Sequence, residues 1–155
     1  MSLQRDVLVD ADGLILGRMA SYIAKLLKYG YTVYVVNAEK AVISGDPRMV
    51  KESYALWLEI KTLRNPAKWS PHRPRNPIAI VKYAVRNMLP KDPFKKLLLL
   101  KRLKVYVGYP EEVRKLKLQP VDMPDAKAER LGRKYVTVGE VAKHLGWRVG
   151  YERAR

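Results

Sequence analysis

Asp10 and Asp12 stand two residues apart in Val9-Asp10-Ala11-Asp12-Gly13, at the end of a short apolar run. A carboxylate can act as a nucleophile towards phosphorus. Such phosphoryl transfer also needs Mg²⁺ held by later acids, and a hydroxyl closing a following strand. Here Leu14 follows Gly13, the next extended run closes in Asn37, and the basic middle of the chain carries no second pair of acids. The simpler reading is an Asp-Gly turn with a solvated aspartate.

Gly13, Gly17 and Arg18 suggest a phosphate loop, but the spacing is one residue short and the Lys-Ser/Thr pair is missing. A helix start near Arg18 can still offer backbone N–H groups to an RNA phosphate. His72 and His144 are the two histidines, far apart and without companion ligand types, so no metal site is expected. His144 reads as a dipole partner near a helix C-terminus. Trp57 reads as a core residue. Trp69 lies among arginines and lysines and reads as a contact for a base or sugar.

The densest chemistry is charge. Residues 61–104 hold 13 Lys plus Arg against one acid, Asp92, a net +12 out of +16 for the chain of 155 residues. Residues 1–60 balance at 7 and 7; residues 105–155 hold 11 and 7. Charge so concentrated repels itself unless a polyanion neutralises it, whereas a solvated face normally mixes signs. The candidate RNA contacts are Arg18, Lys61, Arg64, Lys68, Trp69, His72, Arg73, Arg75, Lys82, Arg86, Lys91, Lys95, Lys96, Lys101, Arg102 and Lys104. Arginine forks and lysines would meet phosphate, and Trp69 and His72 would pack on sugars or bases. A protein that coats DNA would share the charge but would not discriminate folded RNA from duplex DNA.

Several elements must hold these groups in place. Val7 to Asp10 reads as a strand, Arg18 to Tyr29 as a helix with Met19, Ile23, Leu26 and Leu27 inward, and Gly30 as its left-handed cap. Tyr31 to Asn37 has apolar side chains on both parities, which predicts a strand covered on both faces. Strand, helix, strand implies a parallel pair. Val42-Ile43 is a further extended piece.

Asp46-Pro47, Asn76-Pro77 and Asp92-Pro93 each start a helix, with a capping side chain followed by proline. The first presents Val50, Tyr54, Trp57 and Leu58. The second, over about 77–89, buries Ile78, Val81, Val85 and Met88; the third, about 93–102, leads into a strand at Leu103 to Val107. Residues 65–76, broken by Pro66, Pro71 and Pro74, predict an irregular basic loop. Glu111 and Glu112 open a short helix. In the tail, Thr137-Val138-Gly139-Glu140 forms a capping box, with Gly146 as the stop and Trp147 folding back on Ala142. Lys143, Arg148, Arg153 and Arg155 are left to meet phosphate.

The runs VDADGLILGRMASYIAKLL, YTVYVVNAEKAVISGD, PHRPRNP with VRNMLPK, and RLKVYVGYP resemble the universal large-subunit ribosomal protein thirteen family, in its archaeal form. They cover residues from about 5 to 110 in the family's order, and VTVGEVAKHLGW resembles the archaeal extension. Asn87 departs from the glycine expected before Met88. The resemblance implies an α/β fold, a three-layer α/β/α domain with a small, mainly parallel sheet, plus the basic irregular loop and a C-terminal helical extension. It implies binding of large-subunit rRNA during assembly, contacts with neighbouring large-subunit ribosomal proteins, a cytoplasmic place in the large ribosomal subunit, and no catalysis. The competing reading is a haloacid-dehalogenase-type phosphoryl-transfer enzyme using Asp10 and Asp12.

The expected organisation is a single α/β RNA-binding domain over 1–120 and a C-terminal extension over 121–155, with a short helix near 138–145. With no cysteine, disulfides and cysteine-containing zinc modules are excluded, which fits a reducing compartment. No apolar run approaches the roughly 20 residues of a membrane span, and the first residues lack the apolar run of a signal peptide. No cofactor, membrane partner or small-molecule substrate is expected.

Overall fold

A computed structural model describes residues 6–149; Arg153 and Arg155 lie outside the described residues. The described residues open with β1 (Asp6–Asp10), α1 (Leu16–Lys28) and β2 (Thr32–Val36). β2 is the middle of a three-stranded sheet, paired in parallel with β1 on one side and with β4 (Leu103–Val105) on the other. In register, Val9 faces Val35 and Val35 faces Val105, so one row of branched side chains crosses all three strands. Val33 and Val35 point into the main core; Tyr34 and Val36 point the opposite way, with Leu8 and Val113. The expectation of a strand buried on both faces holds for this reason: the crossovers must cover both sides of a parallel sheet.

The two covers are unequal. The second face is closed by α6 (Glu111–Lys115), whose Val113 packs with Leu8, Tyr34 and Val36 while Tyr106, Tyr109 and Leu118 ring the cluster. On the first face α1 buries Met19, Ala20, Ile23, Ala24 and Leu27. It packs against α4 (Pro77–Met88), and α5 (Pro93–Lys101) lies beside the pair. Asp92 and Asn76 accept backbone N–H groups at the starts of α5 and α4, as the Asx-Pro spelling requires.

In α4 the buried set is Pro77, Ile80, Val81 and Val85, with Ile78 only half-buried and Met88 exposed. The expected stripe was too narrow and ran one turn too far. α4 sits between α1 and α7 (Val138–His144), which widens its covered face, and Leu89 fills the core where the chain leaves the helix. α2 (Pro47–Glu59), capped by Asp46, departs further: none of its residues is fully buried. It leans on α7 at the periphery, so Trp57, expected in the core, is half-buried and tilts against Tyr54 with ring centroids 4.9 Å apart. Burial pushes the Tyr54 phenol pKa up. Within the predicted irregular loop there is one helical turn, α3 (Pro66–Trp69), which Asn65 caps by accepting from the Lys68 N–H.

The tail wraps around this domain and enters its core. The Val121 N–H donates to the Leu8 carbonyl, Ile15 to Ala126 at the start of α1, and Ala128 to Gly13. Met123 and Ala126 are buried in the same cluster as the sheet. β3 (Val42–Ser44) then pairs antiparallel with β5 (Tyr135–Thr137), Ile43 opposite Val136. In α7 the Thr137 hydroxyl accepts from the Glu140 N–H at 3.2 Å. The returning half of the expected capping box is not made: the Glu140 carboxylate lies 3.8 Å from Lys51 Nζ on α2. At the far end Gly146 takes φ 99° and the Trp147 N–H reaches the Ala142 carbonyl at 2.9 Å, the left-handed stop expected from the sequence. At Gly139 the helix runs close to the domain, since a Cβ there would lie 3.0 Å from the Glu39 carbonyl oxygen.

Candidate nucleic-acid interface

At the ends of β1 and β2, Asp10 is committed to structure. Its Oδ1 accepts from the Asp12 N–H at 3.1 Å and from Asn37 Nδ2 at 2.9 Å, which holds the Asp-Gly turn against the second strand. Asp12 is exposed and lies 3.5 Å from Lys40 Nζ. Among the described residues no three His, Cys, Asp or Glu side chains are grouped to hold a metal, and no helix is long and apolar enough to cross a membrane. So the turn reading of the motif stands, with one change: Asp10 is tied down and Asp12 is the solvated member.

The basic segment folds into three surfaces. One is a groove between α4 and α5, floored by Leu97 and Leu100. At one end His72, Arg73, Lys82, Arg86 and Lys101 line a recess of about 510 Å³; at the other, Arg86, Lys91 and Lys96 line an adjoining one of about 410 Å³. On the opposite side of α5, Lys95 and Arg102 meet Lys28 from the end of α1 around Leu98, Leu99 and Pro90. Lys28 was not among the predicted contacts; its place on the outward side of α1 was legible, its approach to α5 was not. The third surface is the loop bearing Lys61, Arg64, Lys68, Trp69 and Arg75, all exposed. Thr62 ties that loop across its neck, its N–H donating to the Ser70 hydroxyl at 3.1 Å. Trp69 is 62 % exposed with Lys68 Nζ 5.4 Å from its ring, so an aromatic face and a cation are offered together.

Two predicted contacts stand apart. Arg18 Nη1 donates to the Asp125 carbonyl at 2.9 Å and so fastens the tail to α1. Lys104 lies over the Tyr34 ring on the α6 side of the sheet, and its hydrogen bond to the Tyr34 hydroxyl raises its pKa.

Among the described residues the segment makes no ion pair. All five ion pairs among the described residues, such as Lys40–Asp12 and Arg130–Asp125, lie outside it. Its one acid, Asp92, is spent on the start of α5. Among the described residues, then, none of its thirteen cations has a carboxylate within ion-pair distance.

Arg73 differs from the rest. It is half-buried, its Nη1 donates to the Tyr83 hydroxyl, and its guanidinium lies 5.3 Å from the Trp57 ring centroid and 5.9 Å from that of Tyr83. It clamps the loop to α2 and α4 rather than reaching outward. Arg73→Ala is expected to lower stability by about 1–3 kcal/mol, from two cation–π contacts and one charged hydrogen bond. A urea midpoint shifted at unchanged slope would show this. Unchanged stability would return Arg73 to the ordinary phosphate contacts.

Comparison with known proteins follows the same lines. Residues 4–112 match the family model described as Ribosomal protein L13. The chain is 48 % identical over 149 residues to the large ribosomal subunit protein uL13 of Aeropyrum pernix, covering 96 % of this chain and 95 % of that one. It is 51 % identical over 141 residues to the protein of that name from Saccharolobus solfataricus, covering 91 % and 93 %. For the Archaeoglobus fulgidus protein of that name the figures are 42 % over 142 residues, covering 90 % and 87 %.

Proposed function

This chain belongs to the ribosomal protein L13 family, a family of ribosomal proteins and not of enzymes, and from that premise we infer that it is a structural constituent of the large ribosomal subunit which binds and organises large-subunit rRNA during assembly. The observation that carries the RNA reading is the net +12 segment, none of whose cations has a carboxylate partner among the described residues. A surface of that kind is completed by phosphate, and release of the phosphates' counterions drives the binding.

The distribution favours a folded RNA over a simple rod. Cations occupy both sides of α5 and a loop carrying Trp69, so the surface curves around an object that must reach several directions at once. The apolar side chains left exposed on α2 and α5, Leu56, Phe94 and Leu98 among them, and Ile60 just after α2, support contacts with neighbouring large-subunit proteins as well.

The test is sedimentation of the full chain from its own cells. It is expected with the large subunit and to remain there through a moderate salt wash. Recovery as free protein at the top of the gradient would refute the reading.

A further inference from the structure

We propose that the recess between α4, α5 and the loop before α4 receives an unpaired base of the bound RNA, whose flanking phosphates lie on the cations at its rim. This inference rests on the RNA-binding reading above and specifies what one part of the surface recognises.

Phosphate binding alone does not require such a recess. Its floor is Pro74, Ala79, Tyr83, Leu97 and Leu100, apolar side chains that a purely ionic surface would have no reason to leave open to water. Around them stand His72, Lys82, Arg86 and Lys101, with no carboxylate in the lining. Its volume, about 510 Å³, falls in the range of clefts that take a small ligand, and it opens to solvent. An A-form duplex offers phosphates and 2′-hydroxyls over a wide, shallow groove, and its stacked bases stay inside. An unstacked base presents a flat apolar face beside its own phosphate, which is the pairing of chemistries this recess provides.

Tyr83 is the stacking candidate. Its hydroxyl is held by Arg73, which packs in turn against Trp57, so the ring is fixed before RNA arrives. The strand has a way out: Arg86, Leu97 and Leu100 also line the adjoining recess, where Lys91 and Lys96 continue the row of cations. An apolar protein side chain would fill the floor equally well but would leave the rim cations unpaired. The charge therefore assigns the site to nucleic acid.

The experiment compares two short RNA hairpins with the full chain. They share one stem, and one of them carries a single bulged 2-aminopurine. The bulged hairpin is expected to bind about tenfold more tightly, by the usual strength of base stacking on an aromatic ring, with a change in its fluorescence. Ala79→Leu, which fills the recess from a helix without touching any charge, should erase the preference and leave the salt dependence in place. Equal affinity for the two hairpins, both steeply salt-dependent, overturns the base pocket and spares the RNA reading. Weak binding of both with a slope near about −1 overturns the RNA reading and this inference with it. An acidic peptide that displaces the bulged hairpin at equal charge would assign the recess to protein and also overturn it.

Discussion

Between about 50 and about 200 mM salt, the affinity of the full chain for fragments of large-subunit rRNA is expected to fall by roughly two to five powers of ten. The magnitude follows from the cations that face outward. If about 6 to 10 phosphates are neutralised, each releasing about 0.7 to 0.9 of a counterion, log K falls with log salt at a slope of about −4 to −9. Titration of a labelled fragment across that range measures it.

The structure also says which side chains set the slope. Arg75, exposed beside the start of α4, and Lys82, on the rim of the groove, should each flatten it by about one unit when changed to alanine. Lys104→Ala should leave it unchanged, because that ammonium is turned to Tyr34 on the other side of the sheet. A parent slope near about −1 would mean that the basic segment is not the contact surface.

How much of this was legible in the residues depends on the range of the interaction that sets each feature. The Asx-Pro helix starts, the strand with apolar side chains on both parities and the Gly146 stop are decided within a few positions, and each is present. The charge segment is a matter of counting. What required tertiary contact was less visible. Trp57 is apolar and falls on the inward stripe of α2, but only the packing of α2 against α7 leaves that stripe half-open. Arg73 reads like its neighbours, and only the approach of Trp57 and Tyr83 turns it into a clamp. Likewise Arg18 has the same helical side as Lys25, yet the tail arrives over it and claims its guanidinium. The α4–α5 groove is the largest such case: its apolar floor comes from Leu97 and Leu100, which in sequence are two members of a leucine run with no sign of which way they point.

Val141→Asp in α7 is expected to cost about 3–5 kcal/mol of the stability of the entire domain, the penalty for an unpartnered buried charge. The helix is only 7 residues long, too few to persist in water unaided, so packing must hold it. Val138, Val141 and Ala142 are 0 % exposed and lie in one cluster with Met19, Val35 and Val81, so nothing separates the tail's core from the sheet's. A carboxylate at 141 therefore enters the common core. Burial raises its folded pKa above the unfolded value of about 3.9, so the penalty is complete above the folded pKa and shrinks as pH falls through it. The gap between parent and variant in urea unfolding should accordingly be widest near neutrality and narrow at about pH 5. Lys143→Asp, on the exposed side of the same helix, should change stability by no more than about 0.5 kcal/mol. Amide exchange in the free chain separates a docked tail from an appended one. Protection across α7 close to that of β2, lost in both together on Val141→Asp, is the result for a single cooperative core. A variant that frees only the α7 amides while the β2 amides keep their protection would show that the tail folds on the domain without supporting it.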